Sequence, residues 1–452
     1  MKKHIQSIVI CVFAIISLHL SGQTKPFPQN ITYPYGYKPT TINSTLAQSE
    51  YTKLKTSFLV ACDNNVRPIA ETKDITKSEF VGYVMLIAAY QGDKENYDKL
   101  WNFYKSKRSS SANNMMAWKV NCGGIIDAGS ITDADIDVAF SLIIAHRQWK
   151  EDYLEKAKTL IGILKNSVVT NCAGITTLKA GYGYGGCNET NISYYTPAFF
   201  RIFAQVTNDN IWTALADDTY TILNNAANAT TGLVPDWQSV SGTAGTRSRS
   251  GNYQYDACRV PWRIALDYLW NGNTKAQQWC TKVTNWANGK GASNIKDGYT
   301  LNGNAIGQYN NSAFVGAFAV GAMCNSQSIT NSFSTRLGEL NESLAYYHYL
   351  RLIYLHVLSG NFWAPNLTTD VPSVKNPAMK IYSNPASGQI TVEGMMRFEK
   401  IEIIRINGNT LYSEQTNASD RVVLNVRSLE KGAYLLKATD KAGAYECLKF
   451  LK

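Results

Sequence analysis

Three acidic islands hold the residues that could do chemistry. The first is Glu79, in the run Ser78-Glu79-Phe80-Val81-Gly82-Tyr83-Val84-Met85. Ser78 can cap a helix, which puts Glu79 in its first turn, where an acid also complements the helix dipole. The second is Asp133, Asp135 and Asp137, three carboxylates at the head of an apolar run. Helix N-termini welcome acids, so one or two of these are read as structural. The alternation resembles the start of an EF-hand loop but lacks its glycine at position six and glutamate at position twelve, which sets calcium aside. The third is Asp256 with Arg259, three residues apart and able to pair on one helical face. An arginine there would hold the carboxylate charged, as a general base requires, and a structural ion pair has the same signature. Histidine offers little. His4 and His19 fall in the leader, and His146, His348 and His356 have no metal-ligand spacing. Zinc hydrolysis and Ser-His-Asp chemistry are set aside, and chemistry run on Asp and Glu remains.

The elements that must position these acids are helical. Apolar residues recur at three- and four-residue spacing from about Ser44 to Gly360. The pattern predicts helices over 44–62, 78–91, 94–107, 132–148, 150–167, 194–207, 210–228, 256–271, 274–289, 310–325, 328–341 and 343–358. They fall in pairs. Short loops join the members of a pair, and longer loops rich in Gly, Asn and Tyr, such as 108–131, 168–193 and 229–255, lead to the next pair. Six hairpins of this kind predict a toroid with a cleft at its long-loop end.

After Trp363-Ala364-Pro365 the texture changes. Residues 366–377 read as a linker. Residues 378–452 alternate with period two in QITVEG, KIEIIRING, RVVLNV and AYLLKATD, with a turn at Asn407-Gly408. That predicts a small antiparallel β-sandwich. Residues 1–22 read as a signal peptide: Lys2 and Lys3, an apolar run from Ile8 to Leu20, then Ser21-Gly22. The run is too short for a comfortable membrane span, and no later run reaches ~20 apolar residues. The expectation is an exported chain with a helical domain over 23–365.

Cys11 leaves with the leader and eight cysteines remain, an even count that permits disulfides in an exported chain. Cys172 and Cys187 flank a Gly/Tyr-rich loop and are predicted to pair; most of the others are read as buried thiols. The chain has 452 residues, a net charge of +10, 17% charged and 12% aromatic residues. Exposed aromatic faces with few charges suit neutral sugar rings. The positive residues are scattered, with no nucleic-acid-binding motif, so the charge reads as solubility.

At the three islands the chain resembles glycoside hydrolase family 8, inverting β-1,4-glycanases built on an (α/α)6 barrel. The strongest match runs from Thr132 to Trp149 (TDADIDVAFSLIIAHRQW). Others are Met116-Ala117-Trp118, NISYYTP from Asn191, GLVPDW from Gly232, YDACRVPWR from Tyr255, SAFVGAFAVGAM from Ser312 and LSGNFWAP from Leu358. The resemblance implies Glu79 as general acid and Asp256 as general base. It implies Asp133 as the residue that holds the sugar at the cleavage point, and Arg259 as the group that orients Asp256. Trp118, Tyr194 and Tyr195 are the implied stacking platforms, with Tyr255 a further substrate contact. No metal or cofactor is implied. Phe80 and Val84 stand where the family's acid motif has glycine, so a reshaped subsite is expected. The acidic run and Asp256 resemble the cellulase branch, which points to β-1,4-glucan, with xylan or chitosan next. A non-catalytic glycan-binding protein on the same fold is the alternative. The tail resembles the type A sorting domain of type IX secretion, through Ile381 to Gly388 (IYSNPASG) and the ending from Gly432. That implies the secretion machinery as a partner and a secreted or cell-surface location.

Overall fold

The computed structural model describes residues 24–245, 250–365, 379–405, 409–416, 419–441 and 445–452. The leader, the linker and the Asn407-Gly408 turn lie outside them. The chain divides into two compact units, Met1–Asn366 and Leu367–Lys452.

The first unit contains twelve α-helices among its described residues: α1 (Ser44–Ser57), α2 (Ser78–Gln91), α3 (Lys94–Ser106), α4 (Thr132–Trp149), α5 (Tyr153–Val168), α6 (Pro197–Thr207), α7 (Ile211–Ala226), α8 (Val260–Asn271), α9 (Thr274–Lys290), α10 (Ser312–Ala322), α11 (Gln327–Glu339) and α12 (Ala345–Leu358). The even-numbered helices form an inner ring. α2 packs on α4 and α12, and α8 on α6 and α10; α10 also meets α12. The stacked rings of Phe140 and Phe199, 3.6 Å apart at their centroids, join α4 to α6. Each inner helix carries an outer partner, from α3 on α2 round to α1 on α12. The sequence pattern explains the split. α2, α4 and α10 are buried on nearly every face; α2 and α10 are apolar nearly all round, and α4 adds three buried aspartates to an apolar body. α5 buries one stripe, Tyr153, Ala157, Leu160, Ile161 and Leu164, as an outer helix should. This is an (α/α)6 barrel.

The helical register falls close to the predicted spans, with informative differences. The predicted first helix, 44–62, ends at Ser57. Asp63 adopts a left-handed conformation, φ 51°, and turns a hairpin of β1 (Leu59–Cys62) and β2 (Asn65–Pro68). Two predicted helices start later, at Pro197 and Val260, because a proline at the first turn has no N–H to donate. On the long-loop end, β3 (Thr76–Lys77), β4 (Lys119–Val120) and β5 (Ile125–Asp127) pair in order. A second hairpin joins β6 (Val169–Cys172) to β7 (Ile175–Leu178). Cys172–Cys187 is a disulfide, as expected. Cys62–Cys122 is a second, correcting the thiol reading for that pair; Cys258, Cys280 and Cys324 are buried thiols.

The ring is closed by a seam. Asn361 Oδ1 accepts the N–H groups of Gln29 (2.7 Å) and Asn30 (3.1 Å), and its Nδ2 donates to Ser44 Oγ at 2.8 Å. The Ile31 N–H donates to the Gly360 carbonyl at 2.8 Å. A Cβ on Gly360, φ +75°, would lie 2.2 Å from the Ile31 carbonyl oxygen, so only glycine fits. Tyr90 donates to the Trp363 carbonyl at 2.9 Å and packs on Phe362.

The second unit is antiparallel throughout: β8 (Lys380–Tyr382), β9 (Gln389–Glu393), β10 (Phe398–Arg405), β11 (Thr410–Gln415), β12 (Arg421–Asn425), β13 (Ala433–Asp440) and β14 (Tyr445–Leu451). The sheet orders are β11-β10-β13-β14 and β12-β9-β8. Ile401 and Ile403 face Ala438 and Leu436 across the β10/β13 register. With Ile390, Val392, Leu424 and Phe450 they form one core, the sandwich that period-two patterning predicts.

Candidate active site

A cleft of about 890 Å³ opens among the long loops, lined by Glu79, Phe80, Trp118, Tyr184, Tyr194, Trp237, Tyr255, Asp256, Arg259 and Tyr346 among others. Glu79 enters from the first turn of α2. That turn is fixed by the Ser78 N–H, which donates to the Trp118 carbonyl at 2.9 Å. The Glu79 carboxyl has one oxygen, Oε2, buried without a hydrogen-bond partner. Burial, then the charge of Asp133, pushes it up to about 8. A carboxyl in that state is a proton donor at neutral pH.

Asp256 lies at the head of a 3-10 turn over Ala257–Arg259 that runs into α8. Its Oδ1 accepts from Arg259 Nη2 at 2.5 Å and its Oδ2 from Trp237 Nε1 at 3.0 Å. Arg259 is buried, and its Nη1 also donates to Asp133 Oδ2 at 2.7 Å and to Tyr83 Oη at 2.8 Å. One guanidinium thus bridges Asp256 and Asp133. Asp133 is buried with Oδ1 unpartnered. Burial raises it to about 6, against the pull of Arg259.

The acidic run on α4 divides its labour. Asp135 accepts the Tyr104 hydroxyl and the Met116 N–H, anchoring the segment that leads to Trp118. Asp137 takes both Nη atoms of Arg263, at 2.5 and 2.7 Å, with both side chains fully buried. Asp133 and Asp137 are four apart, as are Arg259 and Arg263, so the two pairs stack as rungs between α4 and the 3-10 turn that runs into α8. Gly82 lets α2 approach this face: a Cβ there would meet the Ala134 carbonyl oxygen at 2.9 Å.

The structure brings Glu79, Asp256, Arg259, Trp118, Tyr194 and Tyr255 to the cleft lining, places Asp133 buried against Arg259, and corrects two expectations. Tyr195 is fully buried, its hydroxyl accepting the Leu178 N–H at 2.9 Å and sharing a hydrogen bond with Thr190. It braces β7 and does not line the cleft. Its neighbour Tyr194 points the other way because the 3-10 turn Ile192–Tyr194 ends between them. Val84 is fully buried in α2 and does not line the cleft; Phe80 does, packed against Tyr346 and Tyr349. Tyr255 donates to Asp297 Oδ2 at 2.5 Å and stacks on Tyr347. Sequence reasoning missed Asp236 and Trp237. Their signal was present: an acid between Pro235 and Trp237, in a motif already matched.

An acidic cleft walled by aromatic rings, on an (α/α)6 barrel, is the architecture of a glycan-cleaving enzyme. Residues 26–359 match the glycosyl hydrolases family 8, and residues 380–450 match a secretion system C-terminal sorting domain. The chain is 35% identical over 382 residues to Endoglucanase 2 of Ruminiclostridium josui, covering 80% of this chain and 81% of that one. It is 31% identical over 398 residues to the Beta-glucanase of Niallia circulans, covering 79% and 97%. The apo structure of a beta-1,3-1,4-glucanase from Paenibacillus sp. X4 superimposes with a TM-score of 0.71 at 30% identity, covering 76% of this chain and 100% of that one. This chain belongs to glycosyl hydrolase family 8. Its sorting domain marks it for export, and no helix among the described residues is long and apolar enough to cross a membrane.

Proposed function

We propose that the protein hydrolyses internal β-1,4 bonds of glucans with inversion, Glu79 acting as general acid and Asp256 as general base. The observation that carries this is Glu79, its carboxyl pushed up to about 8 by burial, in the same cleft as an Asp256 held by two donors. Glu79 gives its proton to the glycosidic oxygen as the bond to the anomeric carbon breaks. Asp256 takes a proton from the water that attacks that carbon on the opposite face. Single displacement inverts the configuration. Asp133, buried against Arg259 with Oδ1 unpartnered, is the acceptor assigned to a hydroxyl of the sugar at the cleavage point, and Trp118 and Tyr194, which line the cleft, offer ring faces. The glucanase names of the relatives favour glucan over xylan or chitosan. The tail is proposed to hand the chain to the type IX secretion machinery.

The test is reducing-sugar release by the purified protein on carboxymethyl-cellulose, mixed-linkage β-glucan, xylan and chitosan, with the product anomer read by NMR. Release on the glucans with an α-anomer is expected, and Glu79→Gln and Asp256→Asn should each abolish it. Full turnover by either variant would overturn its assigned role. Release only on xylan or chitosan would overturn the substrate.

A further inference from the structure

We infer that Asp236 and Trp237 are positioning residues that hold the base Asp256, one through its main chain and the other through its side chain. The inference rests on Asp256 being the base. Asp236 Oδ1 accepts three backbone N–H groups, from Gln254 at 2.9 Å, Asp256 at 3.2 Å and Ala257 at 2.8 Å. These lie on and around the base, at the entrance to its 3-10 turn. The next residue, Trp237, donates its indole N–H to Asp256 Oδ2 at 3.0 Å and presents its ring to the cleft. Arg259 holds the other oxygen. Backbone position and carboxylate orientation are thus set by separate contacts.

The clamp is itself anchored. The N–H of Asp236 donates to the Asn252 carbonyl at 2.8 Å, and that of Trp237 to the Ser250 carbonyl at 3.1 Å. Gln238 exchanges backbone bonds with Thr190 at 3.0 and 2.7 Å, and its Nε2 donates to the Ile222 carbonyl at 2.8 Å, on α7. The base, carried on a long loop, is therefore tied to a helix through three consecutive residues. That is the support a water-activating group needs, since a displacement of ~1 Å costs about a hundredfold in rate. Asp236 is buried, and burial with the nearby Asp256 charge pushes it up to about 7. Its Oδ1 is committed to the main chain, so it works through Asp256.

What the clamp requires at position 236 is an acceptor oxygen in place. Asp236→Asn keeps that oxygen, whereas Asp236→Ala leaves three N–H groups without it. We expect Asp236→Ala to lower kcat by about a hundredfold with KM changed less than about threefold, and Asp236→Asn to recover most of the loss. Trp237→Phe keeps the ring wall and deletes the donor. It should lower kcat about tenfold, leave KM nearly unchanged and move the acid limb of the kcat/KM profile to higher pH. Trp237→Phe keeps the inference testable if Asp236→Ala fails to fold. A folded Asp236→Ala with wild-type kcat would overturn it. So would an Asp236→Asn as impaired as the alanine variant, because charge would then matter and not the acceptor. An unmoved kcat and acid limb in Trp237→Phe would also overturn it. Asp256→Asn separates the two levels: turnover there sinks the base assignment, whereas a dead Asp256→Asn beside fully active clamp variants sinks only the clamp.

Discussion

Glu79→Gln should stabilise the protein at alkaline pH while removing its activity. Burial and the Asp133 charge raise the Glu79 carboxyl from an ordinary 4.5 to about 8. The unfolded chain therefore releases this proton near 4.5, and the folded chain holds it until about 8. Below the lower value both states are protonated and the group contributes nothing. Between the two, the folded state binds more protons, so stability falls as pH rises, and above 8 the full cost is in place. A displacement of that size corresponds to about 5 kcal/mol at 1.36 kcal/mol per pH unit. Water in the cleft screens part of it, leaving about 2–3 kcal/mol. Glutamine keeps the shape and has no charge to desolvate. At roughly 2.1 cal/mol/K of unfolding entropy per residue, a unit of this length should gain about 3–4 °C. The assay is thermal melting of both proteins near pH 4.5 and near pH 9. The curves should nearly coincide at the lower pH and separate at the higher, with the variant melting later. Equal melting at the higher pH, or an earlier melt of the variant, would refute the account of Glu79 as a buried acid held neutral.

Three further outcomes follow from the same geometry. The alkaline limb of kcat/KM should fall above about pH 8, because the acid must carry its proton; a profile flat to pH 10 would contradict the Glu79 value. Arg263→Met leaves Asp137 buried and alone and should cost about 3–5 kcal/mol by denaturant titration, whereas adding Asp137→Leu should restore most of it. Tyr195→Phe should lose about 1–2 kcal/mol of stability with KM unchanged, whereas Tyr194→Ala should raise KM for a cello-oligosaccharide; the reverse pattern would restore Tyr195 to the cleft.

Much of the barrel was legible because its helices announce themselves. Inner helices such as α2 and α10 are apolar on nearly every face, and outer ones such as α5 show a clean stripe. Lengths and pairing follow from that contrast and from the loop residues. The acids were legible as types and spacing, but their division of labour was not. Asp133, Asp135 and Asp137 look alike in sequence, and only the partners brought by α8 and α3 distinguish them. Tyr194 and Tyr195 are adjacent and chemically identical, and a single turn sends one to the cleft and the other to the core. The Cys62–Cys122 bond joins loops 60 residues apart, a contact no local pattern encodes. One clue was there: Cys62 and Cys172 each end a strand before a two-residue turn, and both are bonded.

The seam that closes the barrel also decides where the chain can safely be cut. Its bonds draw on Gly360, Asn361 and Trp363 on one side and on Gln29, Asn30, Ile31, Ser44 and Tyr90 on the other, all upstream of residue 366. A protease acting within 366–378 would detach the sorting tail and leave every one of those bonds in place. A cut before Asn361 would remove its bonds to Gln29, Asn30 and Ser44 and unclasp the ring at its first and last helices. The last latch therefore marks the earliest point at which a cut would leave the ring fastened, and it lies just inside the boundary between enzyme and address label.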